Sequence, residues 1–411
     1  MNVSFVSQPW ECVSPPNLGS VELITCATAE RLSGSCQVTV FGRRRSKLPA
    51  RERRGNILFR RVSVLHEDKL IAPFSRWFFR KPEAPLISSS WYCPSYIWQI
   101  ARKIQKTGAD IVHVHNFSQF LPVIRFLNPR VKLILHMHCE WLSEFERSAI
   151  EERLRCADAI IGCSGYITGL IQNRFPEFAK RCHTIYNSVD TARFGTVPGS
   201  SLDQTCNILF VGRVSPEKGL HVLVNAFRQV HSRMPNAMLH IIGPEWIAPL
   251  QPRLSNDSIT RQLEPLFETS GYLARIKQSL NASLASKIVF RDYVSHSDLP
   301  AMFRNADLFV FPSVWHEPFG LPVAEAMAAG VAVVSTRSGG INEIVEDNST
   351  GLLVERGDET QLAEAMIRLL TSKCLRHKMG ENGRRRAGEL FSLERNTQQL
   401  KELYQNLLSA A

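Results

Sequence analysis

The chain has 411 residues and ten cysteines, at 12, 26, 36, 93, 139, 156, 163, 182, 206 and 374, and no two of them form a C-x-x-C pair. That absence argues against a disulfide framework and a structural zinc site, and leaves most of them as small buried hydrophobes. No apolar run approaches the roughly 20 residues that a bilayer-spanning helix needs. The opening, MNVSFVSQPW, lacks the basic-then-apolar layout of a secretory signal, so the expected setting is cytoplasmic. No G-x-G-x-x-G follows the first strand-like run, Val3 to Val6, which removes the main support for a nicotinamide-dependent oxidoreductase. Helix-turn-helix, zinc-finger and RNA-recognition signatures are also missing, and nucleic acid is not an expected partner. Acids are scarce in one segment above all. From Arg43 to Lys81 thirteen Lys and Arg face only Glu52, Glu67 and Asp68, so this segment accounts for nearly all of the net charge of +11.

What is present suggests two α/β domains of about 200 residues each. The most informative stretch is FPSVWHEPFGLPVAEAMAAG, Phe311 to Gly330. A strand-like run, Leu308 to Phe311, ends at Pro312, and Pro318 and Pro322 mark a helix entry after a short turn. Helix entry leaves the amides of Phe319, Gly320 and Leu321 available beside a partial positive charge, a seat for a phosphate that a glycine at 320 lets come close. A phosphate would repel Glu317 and Glu325, so the two carboxylates suit the hydroxyls of a sugar and a ribose. The ligand expected is a sugar nucleotide.

Glu317 and Glu325, with FVGRVSPEKG (Phe210 to Gly219), RNADLFVFPS (Arg304 to Ser313) and SGGINEIVEDNSTGLLV (Ser338 to Val354), resemble glycosyltransferase family 4 in residues and in order. The resemblance covers most of the chain and is densest from Asn207 to Leu370. It implies an α/β GT-B fold: two Rossmann-like lobes whose parallel sheets face an interlobe cleft. The boundaries expected are an acceptor-side lobe over 1–190, a linker over 191–206, a nucleotide-sugar lobe over 207–388, and a terminal helix over 389–411 that returns toward the first lobe. It also implies that Arg213 and Lys218, where a strand ends and a helix begins near Pro216, bind the donor diphosphate. Glu317 would hold donor sugar hydroxyls, Glu325 the ribose, and the turn at Arg291 the nucleotide base. In the first lobe Gly19 matches one of two adjacent glycines near the donor phosphate, and Ser20 replaces the other on the acceptor side. Beyond the strand Leu239 to Ile242 the family commonly has two glycines around one residue, whereas this chain has Gly243, Pro244 and Glu245. The long stretch Trp246 to Lys287 that follows has helical periodicity in part.

Two strands each carry a histidine pair at i and i+2, His113 with His115 and His136 with His138, and alternation puts each pair on one face. A four-histidine metal site is conceivable on that spacing, but no carboxylate or cysteine stands at an obvious ligand position, and no metal is expected. The resemblance instead matches His138 to the histidine that contacts the donor sugar near the reacting carbon. It matches His115 to an acceptor-side histidine, and leaves His113 and His136 as satisfied core residues. It matches Asn187 and Asp190 to the crossing between the lobes.

The activity implied is retaining, metal-independent transfer of a hexosyl unit from a nucleotide diphosphate sugar, UDP favoured, to a saccharide or lipid-linked acceptor. Cell-surface polysaccharide or glycolipid synthesis is the setting expected. The competing class is a non-catalytic sugar-nucleotide-binding regulatory subunit with the same fold, against which the intact cations and glutamates argue. For the basic segment two readings stand: a solvated loop, or a patch resting on anionic lipid at the inner face of the cytoplasmic membrane at about 1 kcal/mol per basic residue.

Overall fold

Among the described residues fourteen short strands, most of them rich in β-branched and aromatic residues, form two sheets in a computed structural model of the chain. The structure describes residues 1–14, 19–46, 48–64, 83–195, 205–246, 258–268 and 271–409. The chain divides into two compact units, Met1–Asn187 with Leu393–Ala411, and Ser188–Ser392.

The first unit contains β1 (Asn2–Val6), β2 (Gln37–Arg43), β3 (Arg51–Arg54), β4 (Ile57–Val62), β5 (Ile111–His115), β6 (Lys132–Met137), β7 (Ala159–Gly162) and β8 (Cys182–Thr184). They lie in the order β3-β4-β2-β1-β5-β6-β7-β8, parallel except for the β3–β4 pair. β5 and β7 are buried at every residue, the pattern of parallel strands covered on both faces. The helix Ser20–Leu32 buries Ile24, Thr25 and Leu32. The terminal helix Leu393–Ser409 joins the same core through Leu400, Leu403 and Tyr404, against Val3, Phe5, Val38 and Ile134. Arg31 pairs with Glu394 across these two helices.

The second unit contains β9 (Cys206–Val211), β10 (Ala237–Ile242), β11 (Ile288–Arg291), β12 (Leu308–Phe311), β13 (Val333–Thr336) and β14 (Gly351–Val354), all parallel in the order β11-β10-β9-β12-β13-β14. Each lobe is thus an α/β layer structure with a largely parallel sheet.

Four expectations change. The basic segment is not one loop: Arg51–Arg54 and Ile57–Val62 pair antiparallel around a turn at Gly55 and extend the sheet. Arg61 there is 3% exposed and is matched by Glu52 at 2.9 Å and by the Cys12 carbonyl, so it is spent on the fold. The run RWFFRK that closes the basic segment, Arg76 to Lys81, interleaves aromatic and basic residues and falls outside the described residues. Thr191–Phe194, assigned above to the linker, is a helical turn of the second unit, because Phe194 is fully buried against Phe303 and His296. Lys218 lies in a 3-10 turn, Pro216–Lys218, and the helix starts only at Leu220. The reason is Gly219, at φ +73°, where a Cβ would meet the Pro312 carbonyl oxygen at 2.0 Å. Finally, β6 ends at Met137, which leaves His138 just past the strand.

Candidate active site

Helix and strand ends in the second unit bring a lysine and a glutamate into contact across 99 residues. Lys218 Nζ donates to Glu317 Oε1 at 2.6 Å. The same oxygen accepts from Ser313 Oγ at 2.6 Å and from the Trp315 indole N–H at 2.8 Å. Glu317 is 4% exposed, so the carboxylate is buried with three donors converging on it. The ammonium also lies 5.0 Å from the Trp315 ring and 5.6 Å from the Phe311 ring. An ammonium has three donors, and the contact with Glu317 uses one of them. Ser313 and Trp315 were not singled out from sequence, although both lie within the stretch that was.

Arg213, at the exit of β9, is placed by a neighbouring carboxylate. Glu217 is 1% exposed and its Oε1 lies 3.3 Å from Arg213 Nη2. The Arg213 guanidinium stacks 4.7 Å over the Trp246 ring. Neither Glu217 nor Trp246 was expected in the site, and both are signalled only by three-dimensional proximity.

Glu325 sits in the helix Leu321–Ala328, 3% exposed, with Oε1 2.7 Å from His296 Nε2. His296 is a further residue that sequence reading missed, since it comes from the loop after β11. The Phe319 ring is buried against Phe391 at 5.6 Å. Gly320 precedes the helix at φ +107°, and a Cβ there would lie 2.3 Å from Ile341 Cδ1. The left-handed backbone at this position favours glycine. Leu321 opens the helix, with Pro322 in its first turn. Arg291 is exposed at the end of β11, its Nη1 donating to Met302 Sδ at 3.6 Å.

His113, His115, His136 and His138 of the first unit form two hydrogen-bonded chains. Tyr404 Oη lies 2.7 Å from His113 Nδ1, and His113 Nε2 lies 3.1 Å from His136 Nδ1. His115 Nε2 meets Thr25 Oγ1 at 3.1 Å, His115 Nδ1 meets His138 Nε2 at 3.0 Å, and His138 Nδ1 meets Asn187 Oδ1 at 3.0 Å. His115 is thus an interior residue, 2% exposed with both nitrogens engaged, and the acceptor-side placement is corrected. His138 has both ring nitrogens committed too. His113 is satisfied, whereas His136 keeps a buried Nε2 without a hydrogen-bond partner. Burial holds His113 down to about 3 and His138 down to about 4, the latter against the hydrogen bond to Asn187. His115 and His136 are pushed well below the ordinary imidazole value, again by burial first. Nitrogens of His113, His115 and His136 lie within 4.8 Å of one another. Most of them are already bonded within the network, and the group offers no anionic ligand to offset a cation in a dry core. The arrangement fits a neutral imidazole network better than a metal centre.

At the other loop of this unit, Gly19 caps the helix Ser20–Leu32 with extended backbone, and Ser20 is exposed. A Cβ at Gly19 would lie 3.8 Å from Glu11 Oε1, so an acid that sequence reading passed over sits beside this turn. Burial pushes the Glu11 carboxyl up to about 8, against two hydrogen bonds donated by Gln8 and with the charge of Glu22 adding to the rise.

Known proteins resemble this chain in sequence and in fold. Residues 202–386 match the family model described as glycosyl transferases group 1, and residues 21–193 match glycosyltransferase family 4. The chain is 28% identical over 326 residues to YtcC of Bacillus subtilis, spanning 75% of this chain and 76% of that protein. It is 27% identical to the lipopolysaccharide 1,2-N-acetylglucosaminetransferase of Salmonella typhimurium, over 75% of this chain and 76% of that one. In fold it is similar to Anabaena Alr3699/HepE, solved in complex with UDP-glucose, with TM-score 0.70, 19% identity, and coverage of 98% and 99% of the two chains.

Proposed function

Because the chain belongs to the group 1 and family 4 glycosyltransferases, enzymes of the GT-B fold, we propose that it transfers a hexosyl unit from a nucleotide diphosphate sugar to a saccharide or lipid-linked acceptor, with retention of configuration. The observation that carries this reading is the Lys218–Glu317 contact at 2.6 Å, a cation and a carboxylate side by side on one lobe. The cation suits a diphosphate leaving group and the carboxylate suits donor sugar hydroxyls. Arg213 adds a second fixed positive charge. Charge growing on the leaving phosphate strengthens such contacts in the transition state, where a preorganised donor is worth about 3 to 4 kcal/mol. The leaving phosphate itself takes the acceptor proton on the same face, so Glu317 orients the sugar and needs no role as nucleophile. Glu325, held by His296, takes the ribose hydroxyls. Two protein cations and a helix N-terminus supply the neutralisation that a divalent metal gives other phosphate sites, and no metal is required.

A UDP-sugar is the favoured donor, in line with UDP-glucose bound to the Anabaena relative. A lipid-linked or saccharide acceptor in surface polysaccharide or glycolipid synthesis fits the Salmonella relative, a lipopolysaccharide transferase by name. Work at the inner face of the membrane fits the basic segment, and no described helix is long and apolar enough to cross a bilayer. The experiment that tests donor choice is a thermal-unfolding screen with UDP-, GDP- and ADP-sugars. A ligand at 100 times its dissociation constant adds about 2.7 kcal/mol, so a UDP-sugar should raise the melting temperature most. Stabilisation by none of them would overturn the reading.

A further inference from the structure

Trp246 stands where β10 leaves the sheet, and its backbone neighbours are pinned on two sides. Val214 donates to the Pro244 carbonyl at 2.9 Å and forms a bridge with Glu245. Glu245 Oε1 accepts from the Leu273 amide at 2.9 Å, in the first turn of the helix Tyr272–Gln278. That helix is itself anchored: the buried Tyr272 hydroxyl accepts from the His221 amide at 3.1 Å and lies 2.8 Å from His221 Nδ1. The helix Tyr272–Gln278 thus braces the turn that presents the indole.

The indole is 54% exposed, so its contacts within the protein are few. It covers the face of the Arg213 guanidinium, at 4.7 Å. One edge of the same guanidinium is met by Glu217 at 3.3 Å. Arg213 Nη1 is buried without a hydrogen-bond partner, and so are both carboxylate oxygens of Glu217. A guanidinium held on its face and on one edge has lost its rotamer freedom in advance, and its remaining N–H groups point in a fixed direction. Preorganisation of this kind lowers the ordering cost when an anion binds.

We propose that Trp246 is a positioning residue for Arg213 and that, with Glu245 and the helix Tyr272–Gln278 behind it, it sets the affinity of this lobe for the donor's diphosphate. The inference rests on Arg213 binding that diphosphate. Calorimetric titration with UDP, GDP and ADP of the wild type, Arg213→Ala, Trp246→Ala, Trp246→Phe and the Arg213→Ala/Trp246→Ala double variant separates the two claims. Trp246→Ala should weaken the tightest nucleotide by about 3- to 30-fold, the range of an arginine–aromatic stack. Trp246→Phe, which keeps a stacking face, should stay within about 3-fold of wild type, and the double variant should bind no more weakly than Arg213→Ala. In steady state Trp246→Ala should show the loss mainly in the donor KM, with melting temperature unchanged. Wild-type affinity in Trp246→Ala, or a Trp246 effect undiminished once Arg213 is gone, would overturn the positioning role. Wild-type affinity in Arg213→Ala, or no nucleotide binding by the wild type, would overturn the diphosphate assignment and this inference with it.

Discussion

Lys218→Ala removes the cation paired with the buried Glu317 carboxylate, and its consequences divide between stability and turnover. The two side chains are 11% and 5% exposed, so solvent screens their interaction little. Deleting one partner of a buried pair costs about 3 to 5 kcal/mol, because the other charge stays behind with only neutral donors, here Ser313 and Trp315. For a unit of about 200 residues that corresponds to a fall in melting temperature of about 6 to 20 °C. Turnover should fall by roughly 100-fold or more, from the loss of leaving-group stabilisation. The double variant Lys218→Ala/Glu317→Gln separates the two effects. It should recover much of the stability, since no buried charge is left unpaired, and none of the turnover. Calorimetric melts and a donor-hydrolysis assay on the three proteins give both readouts. A Lys218→Ala protein that melts within 2 °C of wild type, or turns over within about 3-fold of it, would refute the reasoning.

Activity should persist in excess EDTA, because protein cations and the helix dipole do the neutralising; abolition by chelator with rescue by manganese would return attention to the three-histidine group. The imidazole network predicts acid lability. His113 and His138 are held at about 3 and about 4 when folded against about 6.5 unfolded. The unfolded chain therefore binds more protons below pH 6.5, and stability present above that pH is lost as pH falls toward 4, at up to about 1.4 kcal/mol per pH unit for each histidine. Urea titrations of the first unit's transition at pH 7.5, 6 and 5 should show this, and His136→Phe should make the acid limb shallower by about one proton's worth. His138→Ala should reduce turnover and also loosen Asn187 and His115, which bond to its ring. Vesicles with anionic lipid should bind the protein and neutral ones should not, with salt weakening the interaction over a screening length of about 8 Å. Arg43→Glu with Arg44→Glu and Arg45→Glu should release the protein without affecting hydrolysis of a soluble donor; equal binding to both vesicle types would dismiss the lipid contact.

How far the sequence reached follows from what each feature depends on. The strand Leu308–Phe311 and the helix entry near Pro322 were legible because a buried parallel strand is a short apolar run and a proline at a helix start is a local event. Glu317 and Glu325 were legible as a pair for the same reason: they flank one strand-turn-helix unit. The β3–β4 hairpin was not legible, because its strands read as charge, and the sheet edge tolerates exposed arginines that a central strand would not. Similarly, local pattern put Lys218 inside a helix, whereas the helix waits for Gly219 because the Pro312 carbonyl, nearly a hundred residues away, presses on that turn.

By itself, the sequence determined the α/β character of the chain and the order of its motifs, and through their resemblance to a known family the fold class and the residue types expected at a donor site. Tertiary structure alone decided which groups meet. Lys218 reaches Glu317 across 99 residues and His113 reaches Tyr404 across 291. No periodicity encodes such separations, because they arise only when strand ends converge and a terminal helix packs back onto its first sheet. The same packing joined the two histidine pairs to one another and to Thr25, Asn187 and Tyr404, and burial favours their neutral form. Removed from water, an imidazole can avoid the cost of charge by sharing hydrogen bonds with its neighbours, and these four lie close enough to do so.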